Sequence, residues 1–261
     1  NALQNTGDLS GAISMYGDCI AVLQRLVAQE GRRELAPDLA TTIISKAVAL
    51  DSIGDFAYAA KLCDEGIAIL RYLVSQEGRW ELASNLALAL MNKGVVLCNM
   101  GDLGGAIDLY DQCIVIRKRL VEQEGGSQLA RDLADALMNK ATALYNYDDY
   151  ESAVDLYDKC ISIYRRLIDQ EGRREIYDDL ALALMNKANV LGDMGITAGA
   201  IKHYDECISI RNRLVYQEGR RDLLGDLWWS ILGRAHVNNS SGNFSDKDHQ
   251  QVQGACLCLA S

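Results

Sequence analysis

Along this chain, stretches in which apolar residues recur every three or four positions alternate with short polar breaks. Leu86-Ala-Leu-Ala-Leu-Met-Asn-Lys-Gly-Val-Val-Leu97 is one such stretch. It returns as Leu133 to Leu144 and as Leu180 to Leu191, with a more divergent copy at Leu39 to Leu50. This spacing lays one apolar stripe along an α-helix, and the stretches are too long for strands. Gly54-Asp55 and Gly101-Asp102 close two of these helices. The glycine supplies a left-handed stop and the aspartate an N-cap for the helix that follows. Asp148-Asp149 takes that place in the fourth copy, and Gly195 resumes the pattern. A second helix, from about Ala106 to Glu124 in the third copy, then runs into a Gln-Glu-Gly stop.

That stop recurs at Gln29, Gln76, Gln123, Gln170 and Gln217, a strict period of 47 residues. Self-similarity at such a period is the mark of one supersecondary unit stacked on itself. The prediction is an all-α solenoid of antiparallel helix pairs, in which function is sought on the surface.

Small residues sit at fixed places within the unit. Ala12, Ala59, Ala106, Ala153 and Ala200 mark the second helices; Tyr16, Tyr110, Tyr157 and Tyr204 follow, with Cys63 breaking the series. The next small position is Cys19, Gly66, Cys113, Cys160 and Cys207, and the first helices carry Gly94, Ala141 and Ala188. This arrangement resembles the tetratricopeptide repeat, over residues 1 to about 237. The resemblance implies a right-handed superhelical solenoid whose first helices line a concave surface. Departures are visible too. Ile43, Leu90, Leu137 and Leu184 stand where the family has tryptophan, Lys46, Lys93, Lys140 and Lys187 stand at a leucine position, and the closing proline is missing. The unit is about 13 residues longer than the family's usual 34. Shared between two helices, that adds roughly 10 Å to each, and in this the chain is similar to the long-helix subclass typified by kinesin light chain.

The reading divides the chain into a repeat array over residues 1–237 and a polar, disordered tail over 238–261. One period before Gly54 falls Gly7, so the array starts inside a repeat and is read as a fragment of a longer one. Trp228-Trp229 opens two readings: a helix that caps the array, or an exposed docking patch. Cys258-Leu-Ala-Ser261 fits a lipidation pattern, with Cys256 upstream and no basic flank.

A net charge of −10 over 261 residues argues against a nucleic-acid backbone as ligand and leaves two readings, attraction of a basic peptide or acidity that serves solubility alone. There is no apolar leader and no run of 18 apolar residues, so membrane spanning is not expected. Four of the eight cysteines occupy one helical position, which predicts buried free thiols and a cytoplasmic, reducing setting. No Cys-x-x-Cys pair supports a metal, and none of the three histidines sits in a catalytic motif. Neither enzyme chemistry nor a cofactor is expected. Glu30, Glu77, Glu124, Glu171 and Glu218 lie in the last turn of a helix, where the dipole disfavours them. Arg32, Arg79, Arg173 and Arg220 are the expected ion-pair partners across the loop.

Helical phase selects the groove-facing positions. They are Thr41, Ile44, Ser45 and Val48, then Leu88, Met91, Asn92 and Val95, then Asp135, Met138, Asn139 and Thr142, then Leu182, Met185, Asn186 and Asn189. Asn92, Asn139 and Asn186 form a ladder beside Met91, Met138 and Met185. Asparagine carries a donor and an acceptor for a peptide amide, and methionine packs against varied side chains. This pattern resembles the asparagine ladders of the family. Two readings stand: a peptide-binding ladder, or asparagines that bridge neighbouring helices beside methionines that fill the core. The function expected is a noncatalytic scaffold for a protein or peptide partner. The alternatives are a substrate-recruiting region of a larger enzyme and an array that self-associates through its ends.

Overall fold

A computed structural model describes residues 9–240, and it is all-α: ten α-helices and no strand among the described residues. It comprises two compact units that divide between Leu129 and Ala130. The first holds α1 (Leu9–Ala28), α2 (Ala36–Ser52), α3 (Phe56–Ser75), α4 (Ala83–Asn99) and α5 (Leu103–Glu124). The second holds α6 (Ser127–Asn146, beginning in the last residues of the first unit), α7 (Tyr150–Glu171), α8 (Tyr177–Asp193), α9 (Thr197–Asn212) and α10 (Leu224–Ser240). Within the units, α2 pairs with α3, α4 with α5 and α8 with α9, first helix against second. The tail expected from 238 begins later, since Asn238, Asn239 and Ser240 belong to α10; the expected first turn at Gly7, residues 241–261 and with them the Cys256 and Cys258 motif lie outside the described residues.

The turns within each pair follow the sequence. Gly54 and Gly101 have φ of 83° and 84°. Asp55 accepts from the Tyr58 amide, and Asp102 from the Gly105 amide at 2.9 Å. Asp148 adopts the same left-handed conformation at φ 64°, and Asp149 caps α7 through the Ser152 amide. A left-handed residue with a Cβ is strained, least for Asn and Asp. Asp148→Val is therefore expected to lower stability by about 1 to 2 kcal/mol in urea unfolding, whereas Asp148→Gly stays within about 0.5 kcal/mol of the parent.

Between repeats the ion pairs differ from the expectation. Arg32, Arg79, Arg173 and Arg220 each pair with the acid two residues on: Glu34 at 2.9 Å, Glu81 at 3.0 Å, Glu175, and Asp222 at 2.6 Å. In each pair the arginine precedes, and the acid sits within, a short 3₁₀ turn (Arg33–Leu35, Trp80–Leu82, Arg174–Ile176 and Arg221–Leu223) that leads into the next first helix. The tight turn brings residues two apart side by side. Glu30 and Glu218 instead face back along their own helices, toward Arg25 and Arg213. Gly125-Gly126-Ser127-Gln128 lacks the arginine-acid pair, and there α6 starts directly at Ser127 with no 3₁₀ turn.

Packing explains the small residues. Ala12, Ala59, Ala106, Ala153 and Ala200 are all buried, as are Cys63, Cys113, Cys160 and Cys207. The described cysteines are free, and burial pushes the Cys63 thiol up to about 12. Cys19 departs from the expectation and is exposed. The thiols of later copies are covered by the first helix of their own repeat, and no such helix precedes α1 among the described residues. The lysines at the family's leucine position have a structural partner. Lys93 reaches Asp64 at 2.6 Å and Lys187 reaches Asp158 at 2.5 Å, each tying a first helix to the second helix of the repeat before. Arg234 does the same with Asp205. Where Gly17 replaces the acid, Lys46 lies over the Tyr58 ring at 5.6 Å.

One segment, Trp80–Asn99, has the length and mean hydropathy, 1.2, of a membrane-crossing helix. It contains all of α4, which packs against both α3 and α5. Its apolar character is what a helix with neighbours on two sides requires.

Candidate functional site

Among the described residues, an opening lies on the first-helix faces of each unit. In the first unit a hollow of about 180 Å³ lies between α2 and α4. Thr41, Ile44, Ser45 and Val48 form one wall, Asn85, Leu88, Ala89 and Asn92 the other, and Leu70 of α3 contributes from below. Six of these are positions that helical phase selected. Thr41 and Ser45 turn their hydroxyls onto carbonyls of their own helix, Pro37 at 3.0 Å and Thr41 at 2.9 Å. The wall is therefore less polar than its composition suggests.

The hollow has a local cause in α3. Cys63, Gly66 and Leu70 lie on one face of that helix, three and four residues apart. Their counterparts in α7 are Tyr157, Cys160 and Tyr164, each of them larger and all fully buried. Ile44 settles into the notch over Gly66, where an added Cβ would stand 2.7 Å from its Cδ1. What remains above Leu70 is open.

The other predicted residues divide. Thr142 donates to or accepts from the Tyr157 hydroxyl at 2.9 Å, Asn186 hydrogen-bonds the same tyrosine, and Asn189 accepts from the Tyr204 hydroxyl. Met185 sits beside Arg211, whose Nη1 is 3.3 Å from the sulfur. These residues are half-buried and tied to second-helix side chains. Met91, Val95, Met138 and Asn139 are also half-buried, on α4 and α6, and line neither opening.

In the second unit a wider opening of about 430 Å³ is lined by Tyr145, Met185, Asn189, Asp193, Tyr204 and Trp229, with the α10 residues Leu232, Gly233, His236 and Val237. The Tyr145 hydroxyl donates to Asp193, and its ring meets that of Tyr150 at 5.8 Å. Burial, and then the bond to Asp193 and its charge, hold the Tyr145 phenol well above its ordinary range. α10 has a buried face and an exposed tryptophan. Leu227, Ile231 and Val237 bury against α8 and α9. Trp228 is half-buried, whereas Trp229 is 64% exposed and meets Trp228 edge-on at 5.4 Å. Sequence reasoning missed Asn85, Tyr145 and Asp193, because each lies near a helix end, outside the repeated apolar block that set the phase. Among the described residues no group of three or more His, Cys, Asp or Glu side chains could hold a metal ion.

Residues 86–124 and 133–171 match the tetratricopeptide repeat family model. No curated protein matches the sequence significantly. Among solved structures, BtubC (BKLC) from P. vanneervenii is similar at TM-score 0.72 and 16% identity, over 97% of this chain and 92% of that one. A putative kinesin light chain with nearly identical repeats from Podosopora anserina is similar at TM-score 0.64 and 13% identity, over 86% and 96%. A point variant of that protein is similar at TM-score 0.65 and 14% identity, over 86% and 98%. The chain thus has the fold of tetratricopeptide-like repeat proteins. Its repeats are of the long-helix kind found in kinesin-light-chain-like proteins.

Proposed function

We propose that this chain is a noncatalytic scaffold that holds an extended peptide, or an extended segment of a protein partner, along its first-helix face. The observation that supports this best is the hollow at Asn92. In the fifth repeat the asparagine at the matching position, Asn186, is engaged by Tyr157 of the repeat before. Cys63 stands where that tyrosine would reach Asn92. The Asn92 amide is left with its donor and acceptor toward an opening floored by leucine. A peptide group matches the amide and an apolar side chain matches the floor. Rigid helix pairs lose little entropy on binding, so most of the ordering cost falls on the ligand. The buried free thiols support a reducing compartment.

Short random peptides displayed on phage and selected on the intact chain provide the test. Asn92→Ala is expected to weaken the selected peptides about tenfold, the worth of one hydrogen bond at a desolvated site, with an unchanged urea midpoint. Cys63→Tyr, which restores a tyrosine at that position, should abolish capture, at a cost of about 1 to 3 kcal/mol in stability from overpacking. Asn186→Ala should do the reverse, costing about 1 kcal/mol of stability and sparing capture. Full capture by Asn92→Ala would remove the ligand from this hollow.

A further inference from the structure

The opening in the second unit has a different chemical character from the hollow at Asn92, and it points to a different part of a ligand. Its walls bring together an exposed indole, a phenol and a carboxylate: Trp229 from α10, Tyr145 from α6 and Asp193 from α8. Counterparts of Trp229 in earlier copies are Thr41, Leu88, Asp135 and Leu182, so the indole is particular to this end of the array. A large ring left 64% exposed is unusual on a helix that buries its other apolar residues. The ring is braced edge-on by Trp228, which is half-buried, and Tyr145 is held by its bond to Asp193. Each aromatic wall thus has a neighbour that orients it.

Room and charge follow from two further residues. Gly233 occupies the position that is asparagine in three earlier copies, and a Cβ there would collide with the Tyr204 hydroxyl. The missing side chain widens the groove. Among the described residues of the lining there is no lysine or arginine. The nearby cations Lys187 and Arg234 are committed to Asp158 and Asp205. The Tyr204 phenol, pushed up to about 12 by burial and by neighbouring groups including Asp193, stays neutral alongside Tyr145. Asp193 is therefore the one fixed charge among the described residues of the lining, with His236 as its imidazole neighbour. A carboxylate offers about four lone-pair sites, and the phenol uses one.

We propose that this groove receives the lysine or arginine side chain of a basic peptide segment, its aliphatic stem along Trp229 and Tyr145 and its cationic head at Asp193. A cation on an apolar stem satisfies both halves of the lining, since the aromatic faces attract the charge and cover the methylenes. The inference rests on the peptide-binding reading above and specifies one residue class of the ligand. The overall charge of −10 assists encounter with such a segment and gives no specificity by itself.

The experiment measures fluorescence anisotropy of a labelled peptide of alternating lysine and alanine, and of its counterpart with norleucine for lysine, against the whole chain at physiological salt. The lysine peptide is expected to bind about tenfold more tightly, and Asp193→Asn and Trp229→Leu each to remove about that factor. Asparagine keeps an acceptor for Tyr145, and circular dichroism confirms that both variants fold. Asp108→Asn on α5 makes the same change in net charge far along the sequence and should leave affinity unchanged. Equal losses from Asp108→Asn and Asp193→Asn would mean attraction to bulk charge and would overturn the site. Equal binding of the norleucine peptide would overturn the cation site and leave peptide binding in place, whereas no binding of either peptide would count against both. Displacement by lysine amide at similar concentration would give the groove to small organic cations and likewise overturn the proposal.

Discussion

Arg211→Leu is expected to cost the second unit about 3 kcal/mol, the low end of the range for removing one partner of a buried charge pair, because Asp178 is only half-buried. Arg211 is 1% exposed. Its Nη1 donates to the Asp226 carbonyl at 2.8 Å and to Ser230 Oγ at 2.6 Å, and its Nε lies 3.8 Å from Asp178. Leucine fills the matching position in α3 as Leu70, so the backbone accepts it; the loss comes from the polar groups left behind. Burial already holds the Asp178 carboxyl above its ordinary range, and Arg211 opposes that shift. Without the arginine the shift grows. A carboxyl whose folded pKa is raised contributes stability that is full below its unfolded pKa and is lost as pH rises through the folded value. The deficit of Arg211→Leu should therefore be largest at neutral pH and shrink on acidification. Adding Asp178→Asn should bring stability back to within about 1 to 2 kcal/mol of the parent, because replacing both partners costs far less than stranding one. Urea unfolding followed by tryptophan emission, to which Trp228 and Trp229 contribute, measures each step. An Arg211→Leu protein as stable as the parent would show the network to be incidental.

The second large effect concerns Gly94. A methyl there would stand 2.5 Å from Tyr110 Cε1, and Tyr110 is too well buried to retreat. Gly94→Ala is expected to cost about 1 to 3 kcal/mol through overpacking. Yet Ala141 and Ala188 face Tyr157 and Tyr204 at the same place without harm. The difference lies one residue on. Tyr157 bonds Thr142 and Tyr204 bonds Asn189, whereas Val95 offers no polar atom, and Tyr110 turns to the Cys98 thiol at 3.8 Å. That turn brings the ring over Gly94. Val95→Thr added to Gly94→Ala should allow the Tyr157 arrangement and recover most of the loss, a coupling of about 1 kcal/mol or more between adjacent residues. Simple additivity of the two changes in urea unfolding would refute this account.

The helix pairs, their turns and the small residues at their crossings were legible in the sequence because they depend on short-range rules. A glycine or aspartate takes a left-handed turn, an aspartate caps, and a stripe every three or four residues is buried, whatever surrounds them. Even the substitution of Asp148 for glycine could be read, since it changes only a local dihedral preference. The repeated lysines were less readable. Lys93 and Lys187 stand at a family leucine position, and nothing local says that each meets an aspartate 29 residues earlier, on another helix. The arginines after four of the stops were visible as partners for an acid, but the wrong acid, because the 3₁₀ turn that starts the next helix sets Glu34 rather than Glu30 beside Arg32.

The ladder of groove residues shows the same limit. Helical phase fixes which side of a helix a residue occupies, and it gave Asn92, Asn139, Asn186 and Asn189 equal standing. Tertiary structure separated them: Asn186 and Asn189 are bonded to tyrosines of second helices, and Asn92 lines a hollow left by Cys63, Gly66 and Leu70. By itself, then, the sequence determined the repeat, its length, its turns and its buried stripe, all set by chemistry within a few residues. Only the packing of one helix against another decided which polar side chains are engaged inside and which openings remain, since a hollow is made by what neighbouring elements fail to fill.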